Sequence, residues 1–284
     1  MMIPMVYAAF YLGVALHLGA AVLALGYGMT PRDQRLLYWS RRLLLGALLA
    51  HIAVSGLRLA TWGVAPIASV ADSLNLFIIL VSLTSFVLSC CDRRLSLLVF
   101  YAPACALLSL VAVLVTLNSL GVAPRSLPVL LTAVHVGLAF LAYALFFVAS
   151  LTGAAYAYVA RSLKRLSTVG LAQKLPSLEN LDRTLYMLIS FGYPVFVITL
   201  VLGVAWAWYD AGTLTANWWW SPKIIWSAVM VLFYAVSFHA RSLGLLRGPK
   251  LAHLICVGFA LLLGIYLVLE LFHLLNYNFY RVSA

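Results

Sequence analysis

Long apolar runs, each closed by a short polar cluster, organise the chain from end to end. A membrane-crossing helix needs about 20 mostly apolar residues. Eight segments supply them, at about 6–28, 43–60, 74–91, 95–117, 129–158, 184–208, 222–240 and 251–275. The pattern predicts an all-α, polytopic membrane bundle of eight transmembrane helices. It forms a single integral membrane domain over 1–284, with four helices over 6–117 and four over 129–275. The longest connection, around 159–183, holds Gln173, Lys174, Pro176, Ser177 and Glu179 and reads as a hinge between the two halves. The first run reads as a span rather than a cleavable signal, because no basic residue precedes it and its apolar stretch is too long.

Composition agrees. Apolar residues make up 65% of the chain and charged ones 9%, with a mean hydropathy of +1.07. Soluble domains run at roughly 45–50% and about 25%, and surface-to-volume scaling leaves no way to hide such an excess in one water-soluble core. A soluble enzyme, a disordered chain and a secreted disulfide scaffold are excluded.

The net charge of +11 takes its meaning from position. Arg32, Arg35, Arg41, Arg42, Arg93, Arg94, Arg161, Lys164, Arg165, Lys174, Arg183, Arg241, Arg247 and Lys250 all fall in alternate loops, which hold fourteen of the 18 basic residues. The opposite side keeps only Arg58, Arg125, Lys223 and Arg281. Basic loops face the cytoplasm, so both termini are expected outside, in a bacterial-type cytoplasmic (inner) membrane. The basic clusters are short, scattered and free of interleaved aromatics, so no nucleic-acid partner is expected. Cys90, Cys91, Cys105 and Cys256 form no CxxC pair and read as small packing residues.

Polar side chains inside a span are costly and are functional candidates by default. His17, His51, His135, His239, His253 and His273 all fall within the predicted spans. Depth sorts them. His135 and His273 lie near the outer ends of the fifth and eighth spans, whereas His51 and His239 lie in the inner half of the second and seventh. Imidazoles from two facing helices bind both axial positions of a haem iron, and a bundle core suits such a site. Two bis-histidine sites, one outer and one inner, are therefore expected, with one or two haem b groups. His17, with no partner at its depth, and His253, at the inner interface, read as structural. A zinc or copper site wants three or four converging ligands, and no HxxxH or HxxE pair supplies them. Paired catalytic carboxylates are lacking as well. Glu270, one turn before His273, either orients that histidine or bonds another helix.

Six of the eight tryptophans fall between Trp206 and Trp226: Trp206, Trp208, Trp218, Trp219, Trp220 and Trp226. An interfacial aromatic belt would spread over many helix ends, but this cluster occupies the 205–226 loop and its margins. Its indoles offer a flat apolar shelf for a porphyrin, with Lys223, Arg125 and Arg58 on the same side to pair with propionates.

The stretch Trp218-x-Trp220-Ser221-Pro222-Lys223-x-x-Trp226, continuing through Tyr234 to His239-Ala240-Arg241, resembles the tryptophan-rich WWD signature of the haem-handling cytochrome c assembly proteins. The resemblance is strongest to the CcsA/ResC branch and its HemX-like relatives. It extends to His135-Val136-Gly137 and to the last span, where His273 follows Gly258-Phe259. It implies that His135 and His273 flank the tryptophan loop and hold haem for attachment to apocytochrome c. It also implies that His239 and His51 bind haem on its way across the membrane. Such proteins work with a separate or fused partner assembly protein. The chain departs from the pattern at Ser221, where the family usually has Asp, and at Ile224, where CcsA-type members often have Glu.

Three readings stand at this point. The leading one is a haem-binding protein of cytochrome c biogenesis, at most a component of a haem lyase or synthase. The second is a di-haem b-type electron-transfer subunit, working with quinone and other membrane subunits of a larger respiratory complex. The third is a HemX-like regulator of haem synthesis.

Overall fold

The computed structural model describes residues 2–30, 33–62, 69–116, 130–165, 170–209, 220 and 222–271. Among them the chain is helical: α1 (Met2–Met29), α2 (Gln34–Trp62), α3 (Val70–Ser89), α4 (Leu98–Thr116), α5 (Leu130–Lys164), α6 (Leu178–Tyr209), α7 (Pro222–Ser242) and α8 (Pro249–Leu271). Short 3₁₀ turns at Asp92–Leu97 and Leu171–Gln173 lie between α3 and α4 and between α5 and α6. A backbone in lipid has to satisfy its own polar groups, which the helix does within one segment. Over their described residues α1–α7 are each long and apolar enough to cross a membrane, and α8 adds a further apolar helix. The chain is a multi-pass membrane protein.

Most helices outrun their apolar segments at the basic end. α2 starts at Gln34, not near 43, and carries Arg35, Arg41 and Arg42 on its first turns. α5 runs on to Lys164 and α6 begins at Leu178, so the expected hinge shrinks to the stretch around the Leu171–Gln173 turn. Hydropathy registers the lipid-facing length, whereas the hydrogen-bond ladder continues into the headgroup layer.

Local chemistry sets several ends. Ser69 caps α3 by accepting from the Asp72 N–H at 3.1 Å while its hydroxyl donates to Asp72 Oδ2 at 2.6 Å. Pro222 and Pro249 open α7 and α8, where a missing N–H costs nothing. The α7–α8 turn depends on Gly244 and Gly248, whose φ values of 76° and 61° favour glycine. Asp182 at the start of α6 holds that turn, accepting from Arg241 at 2.6 Å and from the Gly248 N–H at 3.0 Å.

The helices form two groups. α1 packs on α2 and α4, and α2 on α3; α5 packs on α6 and α8, and α6 on α7. Contact between α3 and α5 joins the groups. At the basic end Lys174 adds a second tie: its ammonium donates to Tyr27 O at 2.8 Å and to Gly28 O and Thr30 O, the carbonyls that α1 leaves unsatisfied.

Candidate functional site

The end of the bundle opposite the basic loops gathers the N-terminus of α5, the C-terminus of α6 and the N-terminus of α7. His135 lies five residues into α5, and its ring reaches across to α6. Nδ1 is 2.9 Å from Thr199 O. A carbonyl only accepts, so Nδ1 carries the proton and the ring's lone pair lies on Nε2, the form that ligates a metal. Gly203 makes this approach possible: a Cβ there would stand 2.6 Å from His135 Cε1.

On the face of α6 turned away from His135, the same turns carry Leu200, Val201, Val204, Ala205 and Trp208, an open apolar surface. Trp208 and Trp220 are 76% and 71% exposed. Trp226 packs against the core, and its buried indole N–H has no partner among the described residues. His135, a free-standing apolar wall and exposed indoles thus share one end of the C-terminal half. The donor chemistry at this end, an imidazole held through Nδ1 with exposed indoles on the same end of the bundle, is of the kind a porphyrin takes.

Other expected site residues fall elsewhere. Trp218, Arg125 and His273 lie outside the described residues, as does the side chain of Lys223, which is placed only as part of the first turn of α7. Arg58 does not face an outer ligand. It is 2% exposed and gripped by Asp72, Nε to Oδ1 at 2.5 Å and Nη2 to Oδ2 at 3.1 Å. An internal carboxylate therefore takes the guanidinium that was expected to meet a propionate.

His51 and His239 are not brought together. His239 is exposed near the basic end of α7, where Nδ1 bonds Ala235 O at 2.8 Å and the ring meets Tyr193 and Phe238 edge-on. His51 is fully buried in the other half. Its Nδ1 lies 2.7 Å from Asn75 Oδ1, while Asn75 Nδ2 donates to His51 O and to Ser55 Oγ. Those two donations fix Oδ1 as the acceptor, so His51 carries its proton on Nδ1. Nε2 is then a buried acceptor with no partner among the described residues, set against the backbone of Gly13, where a Cβ would come within 2.8 Å.

His17, for which the sequence offers no partner at its depth, has three. Its ring stacks on His51 with centroids 5.2 Å apart and planes 24° from parallel. Its nitrogens bond Ser109 Oγ at 2.7 Å and Ser82 Oγ at 3.0 Å. His253 is exposed, with Nδ1 on Pro249 O.

Sequence reasoning passed over Asp72, Asn75, Ser82, Ser109, Gly13 and Gly203. A signal existed for Asn75, a polar residue inside a predicted span, and for Asp72 at its margin. The two glycines gave none, since only the packed helices reveal which glycine faces an imidazole. Among the described residues no cluster of three or more His, Cys, Asp or Glu side chains could hold a metal ion.

A family model described as cytochrome C assembly protein matches residues 67–275, which takes in α3–α8 and leaves out α1 and α2. Two proteins named cytochrome c biogenesis protein CcsA are similar. The one from Thermosynechococcus vestitus is 36% identical over 99 residues, covering 35% of this chain and 30% of its own. The one from Guillardia theta is 30% identical over 148 residues, covering 47% and 48%. Protein HemX of Bacillus subtilis is 28% identical over 122 residues, covering 43% of each chain. The chain thus spans less than half the length of these curated relatives.

Proposed function

The chain belongs to the cytochrome c assembly protein family, and we propose that it is a haem-handling component of cytochrome c biogenesis in a bacterial-type cytoplasmic membrane, holding haem at the outer end of α5–α8 for attachment to apocytochrome c. The observation that carries this reading is His135. Its Nδ1 proton is committed to Thr199 O, its ring lies against Gly203, and exposed indoles stand at the same end of the bundle.

In this reading His135 and His273 would hold the haem iron. Trp208, Trp218, Trp220 and Trp226 would supply indole surface to the porphyrin, and Lys223 and Arg125 would meet its propionates. Bound haem brings an iron centre and reactive vinyl groups, while the protein contributes position and exclusion of water. The Thr199 carbonyl has a definite role: by holding Nδ1–H it keeps Nε2 unprotonated and aims the ring, as outer-shell partners of metal-bound histidines do. His239, one turn from the basic end of α7 with its proton likewise on Nδ1, is placed to meet haem from the inner leaflet. With basic loops inside, His135 faces the outer compartment and His239 the cytoplasm. A partner assembly protein completes the apparatus.

Deleting the gene should lower covalently bound cytochrome c, read by haem staining of membrane proteins. The parent gene should restore it, and His135→Ala should leave it low although the protein accumulates normally. Full restoration by His135→Ala would remove His135 from the reading.

A further inference from the structure

The two helices that precede the family-matched region are fastened to the rest by a column of polar contacts. From the Ser69 cap towards the basic end, these are Arg58 with Asp72, then His51 and Ser55 with Asn75. Next come His17 with Ser82 on α3 and Ser109 on α4, then Arg41 with the carbonyl of Ser89. From Asp72 to Ser89 this column follows α3 for about 25 Å at 1.5 Å per residue, most of the thickness of a hydrocarbon core. Every α3 side chain in it, and His17, His51 and Arg58 facing it, is buried.

Such contacts specify register. Bare lipid would strip Asp72, Asn75, Ser82 and Ser109 of the partners that α1 and α2 supply, a costly exposure, so α3 and α4 demand a covering pair of helices that brings matching donors and acceptors. α1 and α2 bring them.

The same contacts bear on haem. Both nitrogens of His17 are taken by serine hydroxyls, Nδ1 of His51 is taken by Asn75, and the α1 backbone at Gly13 closes the approach to Nε2. The rings lie on one another with nothing between them. A porphyrin cannot enter this arrangement without parting α1 from α2 and α3.

We infer that His17 and His51 are not haem ligands but the central contacts of a polar interface that docks α1–α2 onto α3–α4, so that haem ligation is confined to α5–α8. The haem half of this inference rests on the function proposed above; the docking half does not.

The test uses the full chain, purified in detergent and loaded with haem, carrying His17→Asn and His51→Gln together. The expected result is the parent's haem-to-protein ratio and low-spin Soret spectrum with a lowered melting temperature. Loss of haem at the parent's melting temperature would overturn the inference, and so would an unchanged melting temperature. Should haem and stability both fall, added imidazole decides. It fills an axial position vacated by histidine, so recovery of the low-spin spectrum in a His51→Gly variant overturns the inference, and no recovery supports it. A parent protein that takes up no haem strikes the proposed function instead, and the melting-temperature arm still tests the docking interface.

Discussion

Inside α1–α4 the helix faces turned towards one another carry Asp72, Asn75, Ser82, Ser85, Ser109, His17, His51 and Arg58. Inside α5–α8 the equivalent space is filled by rings. Phe146 stacks on Tyr234 at 3.6 Å and 5°, Phe196 meets both edge-on, and Phe147 leans on Phe259. In lipid neither half gains from hiding apolar surface, so each depends on what its contacts add beyond that. The N-terminal half adds hydrogen bonds and one buried ion pair, which are directional and fix which helix sits where. The C-terminal half keeps its ion pair, Asp182 with Arg241, at the basic end, and within the span it adds mainly dispersion between large flat surfaces, which tolerates small shifts. Under the proposed function the C-terminal half has to let a bulky ligand onto its end, and a half built the second way suits that task.

The sharpest way to break this comparison is to unbalance the ion pair. Arg58→Leu leaves the Asp72 carboxylate buried without its guanidinium, and losing one partner of a buried pair costs about 3–5 kcal/mol. Denaturant titration in mixed micelles should show a loss of that size, and Arg58→Leu with Asp72→Leu together should recover much of it. A single variant as stable as the parent would mean that polar contacts do not govern the N-terminal half.

A smaller effect is expected in the other half. In Gly203→Ala the new Cβ would meet His135 Cε1 at 2.6 Å, so the ring has to leave its seat at a cost of about 1–3 kcal/mol. The consequence that separates the halves is functional: Gly203→Ala should weaken haem retention and shift the Soret band. Gly13→Ala, where the added Cβ meets His51 Nε2 at 2.8 Å, should lower stability and leave the band alone.

How far the sequence reaches differs between the halves for the same reason. All eight helices are legible, because an apolar run of about 20 residues has few alternatives. The gathering of basic residues at one end of the bundle is legible too, because they fall in alternate loops. Depth along the span marks His135 as a candidate, and the structure adds the Thr199 carbonyl that holds its Nδ1 proton and the Gly203 that admits its ring, neither of which leaves a mark in composition. Depth misled at His51. Two histidines at one level need not share a helix interface, and the level matched to His239 put them in different halves. His17 was set aside because nothing at its depth paired with it, yet its stacking partner is His51, one helix away. Depth along the membrane normal is one coordinate. Azimuth around the bundle is the other, and only the packing of α1, α2 and α3 sets it.

The central claim is that haem is held in α5–α8 through His135, and axial ligation is its most direct reading. Purified parent protein, loaded with haem and washed, should give a pyridine haemochrome ratio near a whole number together with a low-spin spectrum. His135→Ala should lose that low-spin signature, with added imidazole restoring it at an unchanged melting temperature. The same haem ratio and the same low-spin spectrum in His135→Ala as in the parent would contradict the account.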